Sequence, residues 1–403
     1  MYSTNKVLPY GRQGIDDSDI SAVVEVLRSD WLTTGPKVQE FEETFADKVG
    51  AKYAVSCSSG TAALHLAMLA LDVNKDDKVI VPTMTFLSTA NASVFVGADV
   101  EFADVDPNNG LLDINFVETL LENDNLKKIS AIIPVHLYGQ CVDMERINEL
   151  ADKFDIAVME DACHALGTKY YTKEGNVIPV GACSHSMMAI FSFHPVKTIT
   201  TGEGGIVTTN SKEIYEKLKR FRNHGIIHDP DEFTNKELAY AKDGDSNPWY
   251  YEMADIGYNY RASDIQCALG ISQLSRLESF IAERQSLADL YDTELKSLFP
   301  LVKPVKRQKN CETAWHIYAV LIDFEKLSID RAALMNRLLE KGITTQVHYI
   351  PVHMQPYYMR RYSESNFSGA LDFYKRVLTL PLFPGMYADD VLHVTQSLKQ
   401  CIE

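Results

Sequence analysis

The lysine at position 197 has the surroundings that Schiff-base chemistry requires. Lys197 follows an apolar segment and the residues Ser192–Val196, and a glycine-rich turn at 201–205 comes after it. A lysine in this setting is predicted to be buried, and desolvation keeps an amine neutral and nucleophilic. The glycines would let the backbone approach a flat ligand closely. A lysine ahead of a glycine turn is common, so this segment alone does not specify a reaction.

Two further segments could assist such a lysine. Ser58–Leu64 (SSGTAAL) joins a strand to a helix, and its small residues and free N–H groups favour a phosphate; an ordinary strand-to-helix turn is the equal alternative. Asp161 ends the apolar segment IAVMED, where its carboxylate could pair with a protonated ring nitrogen, although such an Asp more often caps a helix. Together with Lys197, in this order on one sheet, they are the parts that a pyridoxal phosphate site needs.

The elements that must position these residues alternate between strands and helices from about residue 53 to 210. Strands are predicted at 53–56, 78–81, 100–103, 131–135, 156–160, 187–191 and 205–208, and helices at 61–71 and 143–154. This alternation predicts an α/β fold with a mostly parallel central sheet flanked by helices. Such sheets bind ligands at the carboxyl ends of their strands, which is where all three segments lie.

The second half of the chain has a different organisation. Residues 226–250 are rich in acidic residues, Asn, Gly and Pro, and we predict a long loop that closes over bound substrate. Helical periodicity returns over 262–298, and a smaller α+β unit follows, with strands at 316–322 and 344–349 and a helix at 331–341. We therefore predict a large domain over 1–256 and a small C-terminal domain over 257–403.

Composition excludes several classes of protein. The net charge of −16 argues against nucleic acid as the main partner. Seven scattered cysteines without a CxxC pair predict reduced thiols, with neither a disulfide framework nor a metal site. Residues 1–14 lack the features of a signal peptide, and no stretch reaches the roughly 20 apolar residues of a membrane helix. We expect a cytoplasmic protein without a membrane partner.

The motifs resemble those of the DegT/DnrJ/EryC1/StrS family of sugar aminotransferases. Matching segments cover nearly the whole chain, at 32–43, 58–64, 82–92, 160–167, 191–205, 221–225 and 257–270. The resemblance implies the type I aspartate-aminotransferase fold, with a smaller C-terminal α+β domain, and pyridoxal 5′-phosphate as the cofactor. It also implies a homodimer whose active sites are each completed by both chains.

The resemblance assigns a role to each matching position. Lys197 would form the Schiff base with the cofactor, and Asp161 would pair with the pyridine nitrogen. Phosphate contacts would come from Gly60, Thr61, Ser192 and, from the partner subunit, Asn259, and Phe86 would stack on the ring. Many family members have Gln where this chain has His164, beside the phenolic oxygen of the cofactor. A histidine there leaves either ring stacking or an imidazole hydrogen bond.

The C-terminal segments bear on the substrate. Segments 191–201, 313–320, 346–358 and 372–386 are similar to the branch of the family that makes UDP-4-amino-4,6-dideoxy-N-acetyl-β-L-altrosamine for pseudaminic acid. The reaction implied is amination of a UDP-linked 4-keto-6-deoxy sugar, with L-glutamate as donor and 2-oxoglutarate as product. Thr33, His348, Tyr349 and Tyr357 are the predicted substrate contacts, while packing of the aromatic residues within the small domain is an equal alternative.

The sequence also leaves other substrates, and a non-catalytic function, open. A GDP-perosamine precursor or a C3-keto sugar could replace the UDP-linked 4-keto sugar without changing the fold, and a non-catalytic regulatory protein could keep it. His316 and His353 are predicted to be structural histidines. Arg222 and Arg261 could contact a diphosphate, but a salt bridge at the surface or at an interface is the favoured interpretation.

Overall fold

The computed structural model describes residues 7–362 and 366–403, so residues 1–6 of the predicted large domain and N-terminal segment lie outside it. In chain order the strands are β1 (Tyr53–Cys57), β2 (Lys78–Pro82), β3 (Asp99–Ala103), β4 (Ile129–Ile132), β5 (Ala157–Asp161), β6 (Lys169–Tyr171), β7 (Val177–Pro179), β8 (Met188–Ser192), β9 (Gly205–Thr209), β10 (Ile226–Ile227), β11 (Glu252–Met253), β12 (Val302–Pro304), β13 (Cys311–Glu312), β14 (Tyr318–Ile322) and β15 (Val377–Leu380).

The helices alternate with these strands in the first half of the chain and dominate its end. They are α1 (Asp17–Leu27), α2 (Pro36–Val49), α3 (Gly60–Ala70), α4 (Leu87–Phe95), α5 (Ile114–Asn123), α6 (Met144–Phe154), α7 (Lys212–Arg222), α8 (Lys236–Ala239), α9 (Asp264–Ser275), α10 (Leu277–Glu294), α11 (Arg331–Glu340), α12 (Pro356–Arg361), α13 (Ser368–Arg376) and α14 (Ala388–Ile402). Within the described ranges, no helix combines the length and the apolar character needed to cross a membrane.

The central sheet has seven strands in the order β1-β9-β8-β5-β4-β2-β3. Neighbouring strands from β8 to β3 are parallel, and β9 runs antiparallel to both β1 and β8. This confirms the predicted α/β fold with a mostly parallel sheet. Because β9 is reversed, its first residue, Gly205, pairs with the last residues of both neighbours, Cys57 of β1 and Ser192 of β8. The carboxyl ends of β1, β5 and β8 therefore meet at one edge of the sheet.

Two buried clusters stabilise the molecule. The larger surrounds the central sheet and includes Cys267 and Leu274 of α9. The smaller lies between β14, β15 and the C-terminal helices, where the rings of Tyr291 and Tyr318 stack with centroids 4.7 Å apart. Each cluster removes apolar surface from water, which is the main favourable term in folding. The domain boundary at residues 256 and 257 stays a prediction.

Three predicted elements differ from the structure. Residues 344–349 are not a strand: Gln346 makes a single bridge to Thr379 before the chain turns toward the sheet edge, and Pro351 has no N–H to extend a ladder. The helical stretch 262–298 is divided at Arg276, whose guanidinium is used in a salt bridge with Asp16 at 2.7 Å. The predicted loop 226–250 contains a short 3₁₀ turn and α8, and the pairing of β10 with β11 closes its ends.

Candidate active site

The turn from β1 into α3 presents unused backbone donors at the carboxyl edge of the sheet. Ser59 is the N-cap of α3, and its Oγ accepts a hydrogen bond from the Ala62 N–H at 3.1 Å. No group of the described residues accepts a hydrogen bond from the N–H groups of Gly60 and Thr61, which are the first two residues of the helix. Free N–H groups at the start of a helix favour an anion, and the helix dipole adds to the attraction.

Two glycines allow three strands to meet closely behind this turn. A Cβ on Gly60 would lie 2.8 Å from the Cβ of Ser192, and a Cβ on Gly205 would lie 2.4 Å from the carbonyl oxygen of Ser59. A side chain on Gly60 would push β8, and one on Gly205 would push β9, away from the start of α3. The two glycines therefore bring the Ser192 hydroxyl next to the free N–H groups, as the phosphate interpretation of Ser58–Leu64 requires.

Asp161 ends β5 and is 5% exposed. Its Oδ2 accepts a hydrogen bond from the Thr89 hydroxyl at 2.7 Å, and its Oδ1 accepts one from the Cys163 N–H at 3.2 Å. No helix of the described residues begins directly after Asp161, so the helix-cap interpretation does not apply. A buried carboxylate held by donors on one side is suited to pair with a protonated nitrogen on the other.

Lys197 lies in the turn after β8, where its N–H donates to the His194 carbonyl at 2.9 Å. Burial lowers the pKa of the Lys197 ammonium, while the neighbouring Cys163 and Asp161 act in the opposite direction. Desolvation is the dominant effect, and it favours the neutral amine that can attack a carbonyl carbon.

A cavity of about 270 Å³ brings most of the predicted site residues together. Those that line it are Gly60, Thr61, Phe86, Asp161, His164, Ser192, Lys197, His348 and Tyr349. Segments that are far apart in sequence contribute because the carboxyl ends of their strands share one edge of the sheet.

His164 makes both kinds of contact that its ring permits. Its Nε2 lies 3.0 Å from the Tyr349 hydroxyl, and the two rings stack with centroids 6.0 Å apart at 30°. Burial is the main cause that lowers the pKa of His164 well below its ordinary value, and the basic side chains of Lys197 and His348 act in the same direction. The ring is therefore neutral at physiological pH.

Three predicted residues do not line this cavity. Thr33 forms a backbone bridge with Ser263, and Tyr357 lies on α12, where its hydroxyl accepts a hydrogen bond from Arg361 at 3.3 Å. Asn259 is exposed and forms a backbone bridge with Asn223. Their assignments to substrate and to the partner's site remain predictions.

The two arginines contact side chains of their own chain, and of the two only Arg222 forms a salt bridge among the described residues. Arg222 forms a salt bridge with Glu42 in which both side chains are largely buried, and it donates to the Ser56 carbonyl at 2.7 Å. Arg261 donates to the Asn223 side chain at 2.6 Å.

Sequence reasoning missed several residues of the cavity, among them His316, Tyr10 and Thr89. His316, predicted to be structural, lines it with a buried Nδ1 that has no hydrogen-bond partner among the described residues, and its ring centroid lies 4.4 Å from that of His164. Tyr10 and Thr89 also line it. Tyr10 comes from a segment without periodicity, and no local signal marks it. Thr89 lies within the matched segment 82–92 and could have been considered as a partner for the strand-end carboxylate.

The chemistry of these residues fits pyridoxal phosphate. The N–H groups of Gly60 and Thr61 and the Ser192 hydroxyl would hold a phosphate group. Asp161 and Lys197 would hold the ring nitrogen and the reactive carbon. No group of His, Cys, Asp and Glu residues within the described ranges is arranged to hold a metal ion.

Comparisons with known proteins agree with this site. A model of the DegT/DnrJ/EryC1/StrS aminotransferase family matches residues 13–399. A Campylobacter jejuni protein named UDP-4-amino-4,6-dideoxy-N-acetyl-β-L-altrosamine transaminase is 38% identical over 399 residues, covering 98% of each chain. Helicobacter pylori PseC, described as an aminotransferase in the biosynthesis of pseudaminic acid, superposes with a TM-score of 0.87 at 29% identity, covering 98% of this chain and 99% of the other.

A third relative bears on the cofactor. A Streptococcus pneumoniae protein described as a sugar aminotransferase, solved in its pyridoxal phosphate form, superposes with a TM-score of 0.85 at 26% identity, covering 98% of both chains. The family match spans most of the sequence, and the cavity holds side chains suited to this cofactor. The chain therefore belongs to the DegT/DnrJ/EryC1/StrS aminotransferase family, as a sugar aminotransferase that depends on pyridoxal phosphate.

Proposed function

We propose that this enzyme transfers the amino group of L-glutamate to the C4 ketone of a UDP-linked 4-keto-6-deoxy sugar. The product would be UDP-4-amino-4,6-dideoxy-N-acetyl-β-L-altrosamine, and the reaction would serve pseudaminic acid biosynthesis. The observation that carries the proposed chemistry is the meeting of Lys197, Asp161 and the start of α3 in one cavity. The choice of sugar is supported by the Campylobacter jejuni relative of that name, with which 38% of the aligned residues are identical.

Four residues would bind and orient the pyridoxal phosphate cofactor. The N–H groups of Gly60 and Thr61 and the Ser192 hydroxyl would bind the phosphate, and Phe86 would contact one face of the ring. Phe86 is 53% exposed at the N-cap of α4, which leaves its ring available for such a contact.

Lys197 and Asp161 would manage the protons. When bound, pyridoxal phosphate supplies an electron sink for the electron pair left on the donor's α-carbon. Lys197, once its amine is free, takes the proton from that α-carbon and delivers it to C4′ of the cofactor. Asp161 keeps the ring nitrogen protonated, held in place by Thr89 and the Cys163 N–H. The same groups act in reverse on the sugar ketone, so the kinetics should be ping-pong.

Two subunits would complete each site. Asn259 is exposed and lies outside the cavity of its own chain, as expected of a residue that reaches the phosphate in the partner subunit. Nearby, Trp249, Met253 and Ile256 expose most of their apolar side chains, at 74%, 68% and 77%. Exposed apolar side chains grouped in one segment often mark a protein interface. These features support a homodimer with shared sites.

A substrate panel tests the proposed function. The purified enzyme is assayed with L-glutamate and with UDP- and GDP-linked 4-keto-6-deoxy sugars, and the formation of 2-oxoglutarate and amino sugar is followed. We expect the highest kcat/KM with the UDP-linked N-acetylated 4-keto sugar. Preference for a GDP-linked or a 3-keto sugar would contradict the choice of substrate. Absence of glutamate-dependent turnover on every sugar would contradict the transaminase assignment itself.

A further inference from the structure

The Tyr349 hydroxyl lies in the active-site cavity with one described hydrogen-bond partner, His164 Nε2 at 3.0 Å. Lys197 and Asp161 line the same cavity. A phenol can donate one hydrogen bond and accept others, so the direction of this contact decides what the hydroxyl can do for a ligand.

The surroundings of His164 fix that direction. Its Nδ1 lies 3.4 Å from the backbone N–H of Tyr138, and a backbone N–H can only donate. The neutral ring carries one proton, which we assign to Nε2 because Nδ1 accepts. Nε2–H therefore donates to the Tyr349 oxygen.

The hydroxyl hydrogen of Tyr349 then has no acceptor among the described residues. Among the described residues no acceptor is within hydrogen-bond distance of it, since the Tyr349 oxygen contacts His164 alone. Burial raises the pKa of Tyr349 well above its ordinary value, with Asp161, Cys163 and Tyr10 acting in the same direction, so the hydrogen is retained. A buried donor without an acceptor is costly, and a ligand that supplies an acceptor recovers that cost.

We propose that Tyr349 donates its hydroxyl hydrogen to an anionic oxygen of the molecules bound in the cavity, and that His164 is the residue that orients it. This inference rests on the proposed function. Two molecules would bring an anionic oxygen into this cavity, namely the cofactor with its phenolic oxygen and the amino donor with its carboxylate. A hydrogen bond to either one would stabilise that negative charge.

The surrounding charges are compatible with this role. Lys197 is the nearby basic side chain, whose pKa burial lowers, and His348 is neutral because burial lowers its pKa to about 3. His316, whose pKa burial lowers well below its ordinary value, is also neutral. Both histidines are therefore neutral, and Tyr349 has a hydroxyl hydrogen to donate to an anionic oxygen bound in the cavity. Asp161, whose oxygens already accept from Thr89 and Cys163, would pair with the ring nitrogen and does not need that donor.

The test uses Tyr349→Phe in the cofactor-loaded enzyme, a change that removes the hydroxyl alone. If the acceptor is the phenolic oxygen, its loss destabilises the deprotonated form, and the midpoint of the pH titration of the visible band should rise by about one to two pH units. If the acceptor is the donor's carboxylate, that midpoint stays unchanged and KM for L-glutamate rises about ten- to a hundredfold. Either result supports the proposal and identifies the acceptor.

Variants of His164 test the orienting role. His164→Gln keeps an N–H that can reach the Tyr349 oxygen, so the titration midpoint or the KM, whichever Tyr349→Phe changes, should move less than in His164→Phe. His164→Phe removes that donor, and we expect the same readout, the titration midpoint or KM for L-glutamate, to change in the direction seen for Tyr349→Phe. His353→Gln is the matched control because His353 lies outside the cavity, against Thr83. If His164→Gln and His164→Phe change this readout equally, His164 does not orient Tyr349.

Two failures can be told apart. If Tyr349→Phe folds, as judged by circular dichroism, and changes neither the titration midpoint nor KM for L-glutamate, the inference is wrong and the proposed function stands. If the wild-type enzyme itself has no visible band that glutamate bleaches, the proposed function is wrong, whatever the variants do.

Discussion

Thr89 and Asp161 are joined by a hydrogen bond of 2.7 Å from the Thr89 hydroxyl to Asp161 Oδ2. The contact links α4, which follows β2, to the end of β5, and both residues are buried. Because the second oxygen accepts from the Cys163 N–H, the carboxylate is held from two elements at once. A charge held in this way needs no reorganisation when a cation arrives, and this preorganisation is a main source of electrostatic catalysis.

Removing the charge of Asp161 should slow the glutamate half-reaction far more than removing its hydrogen bond from Thr89. Asp161→Asn cannot keep the ring nitrogen protonated, and we expect the rate of the glutamate half-reaction to fall on the order of a hundredfold or more. Thr89→Val should lower the same rate about tenfold, because it removes one hydrogen bond to a charged group. Stopped-flow absorbance measures both rates. Thr119→Val on α5 is the matched control, since the Thr119 hydroxyl is exposed and bonds only to the carbonyl of Asn115. A larger loss for Thr89→Val than for Asp161→Asn would contradict this ranking.

The salt bridge between Glu42 and Arg222 should contribute strongly to stability. Glu42 also accepts hydrogen bonds from the Ser56 N–H at 2.8 Å and the Ser56 hydroxyl at 2.7 Å, so its removal leaves several buried donors unpaired. We expect Glu42→Ala to lower the free energy of unfolding by about 3 to 5 kcal/mol in urea titrations. Glu40→Ala, which breaks the exposed 2.7 Å pair with Lys37, should cost at most about 1 kcal/mol. Equal losses for the two variants would contradict a buried role for Glu42.

The positions of the central strands and the three main site segments could be predicted from sequence because each depends on local patterns. Apolar runs mark β5 and β8; Asp161 ends β5, and Lys197 lies in the turn after β8. Tyr10 and His316 could not be found in this way, since they reach the cavity through tertiary packing of the N-terminal segment and the smaller cluster. The predicted strand at 344–349 was wrong for a related reason. Its β-branched residues favour extended backbone, but a strand also needs a continuous partner, and the structure provides one bridge at Gln346.

Stability at mildly acidic pH should depend on His348. Burial, with a contribution from the charge of Lys197, lowers its pKa to about 3, while an unfolded histidine titrates near its ordinary value of about 6.5. Below that value the unfolded chain binds a proton that the folded chain excludes, so stability falls with pH until the folded pKa is reached. Between pH 7 and pH 5 this histidine should lower the free energy of unfolding by about 2 kcal/mol. Urea unfolding of His348→Gln at both pH values should show a correspondingly smaller loss than the wild type. An equal loss in the two proteins would show that His348 is protonated in the folded state.

Mixing two inactive variants tests whether the sites are shared. Lys197→Ala loses its own lysine but still offers Asn259 to a partner, whereas Asn259→Asp keeps the lysine and places a negative charge against the partner's phosphate. A mixed dimer then contains one intact site, built from the lysine of one chain and the asparagine of the other. Random exchange of subunits should restore about a quarter of the wild-type activity, because half of the dimers are mixed and each has one working site of two.

The control for this experiment is each variant assayed alone at the same total concentration, with native mass spectrometry confirming that mixed dimers form. Asn259 is exposed and lies outside the cavity of its own chain, so its substitution should leave the fold of that chain intact. If mixed dimers form and activity stays at the sum of the separate variants, Asn259 does not act across the interface. Recovery of activity would require that Lys197 and Asn259 act on the same bound cofactor from different chains.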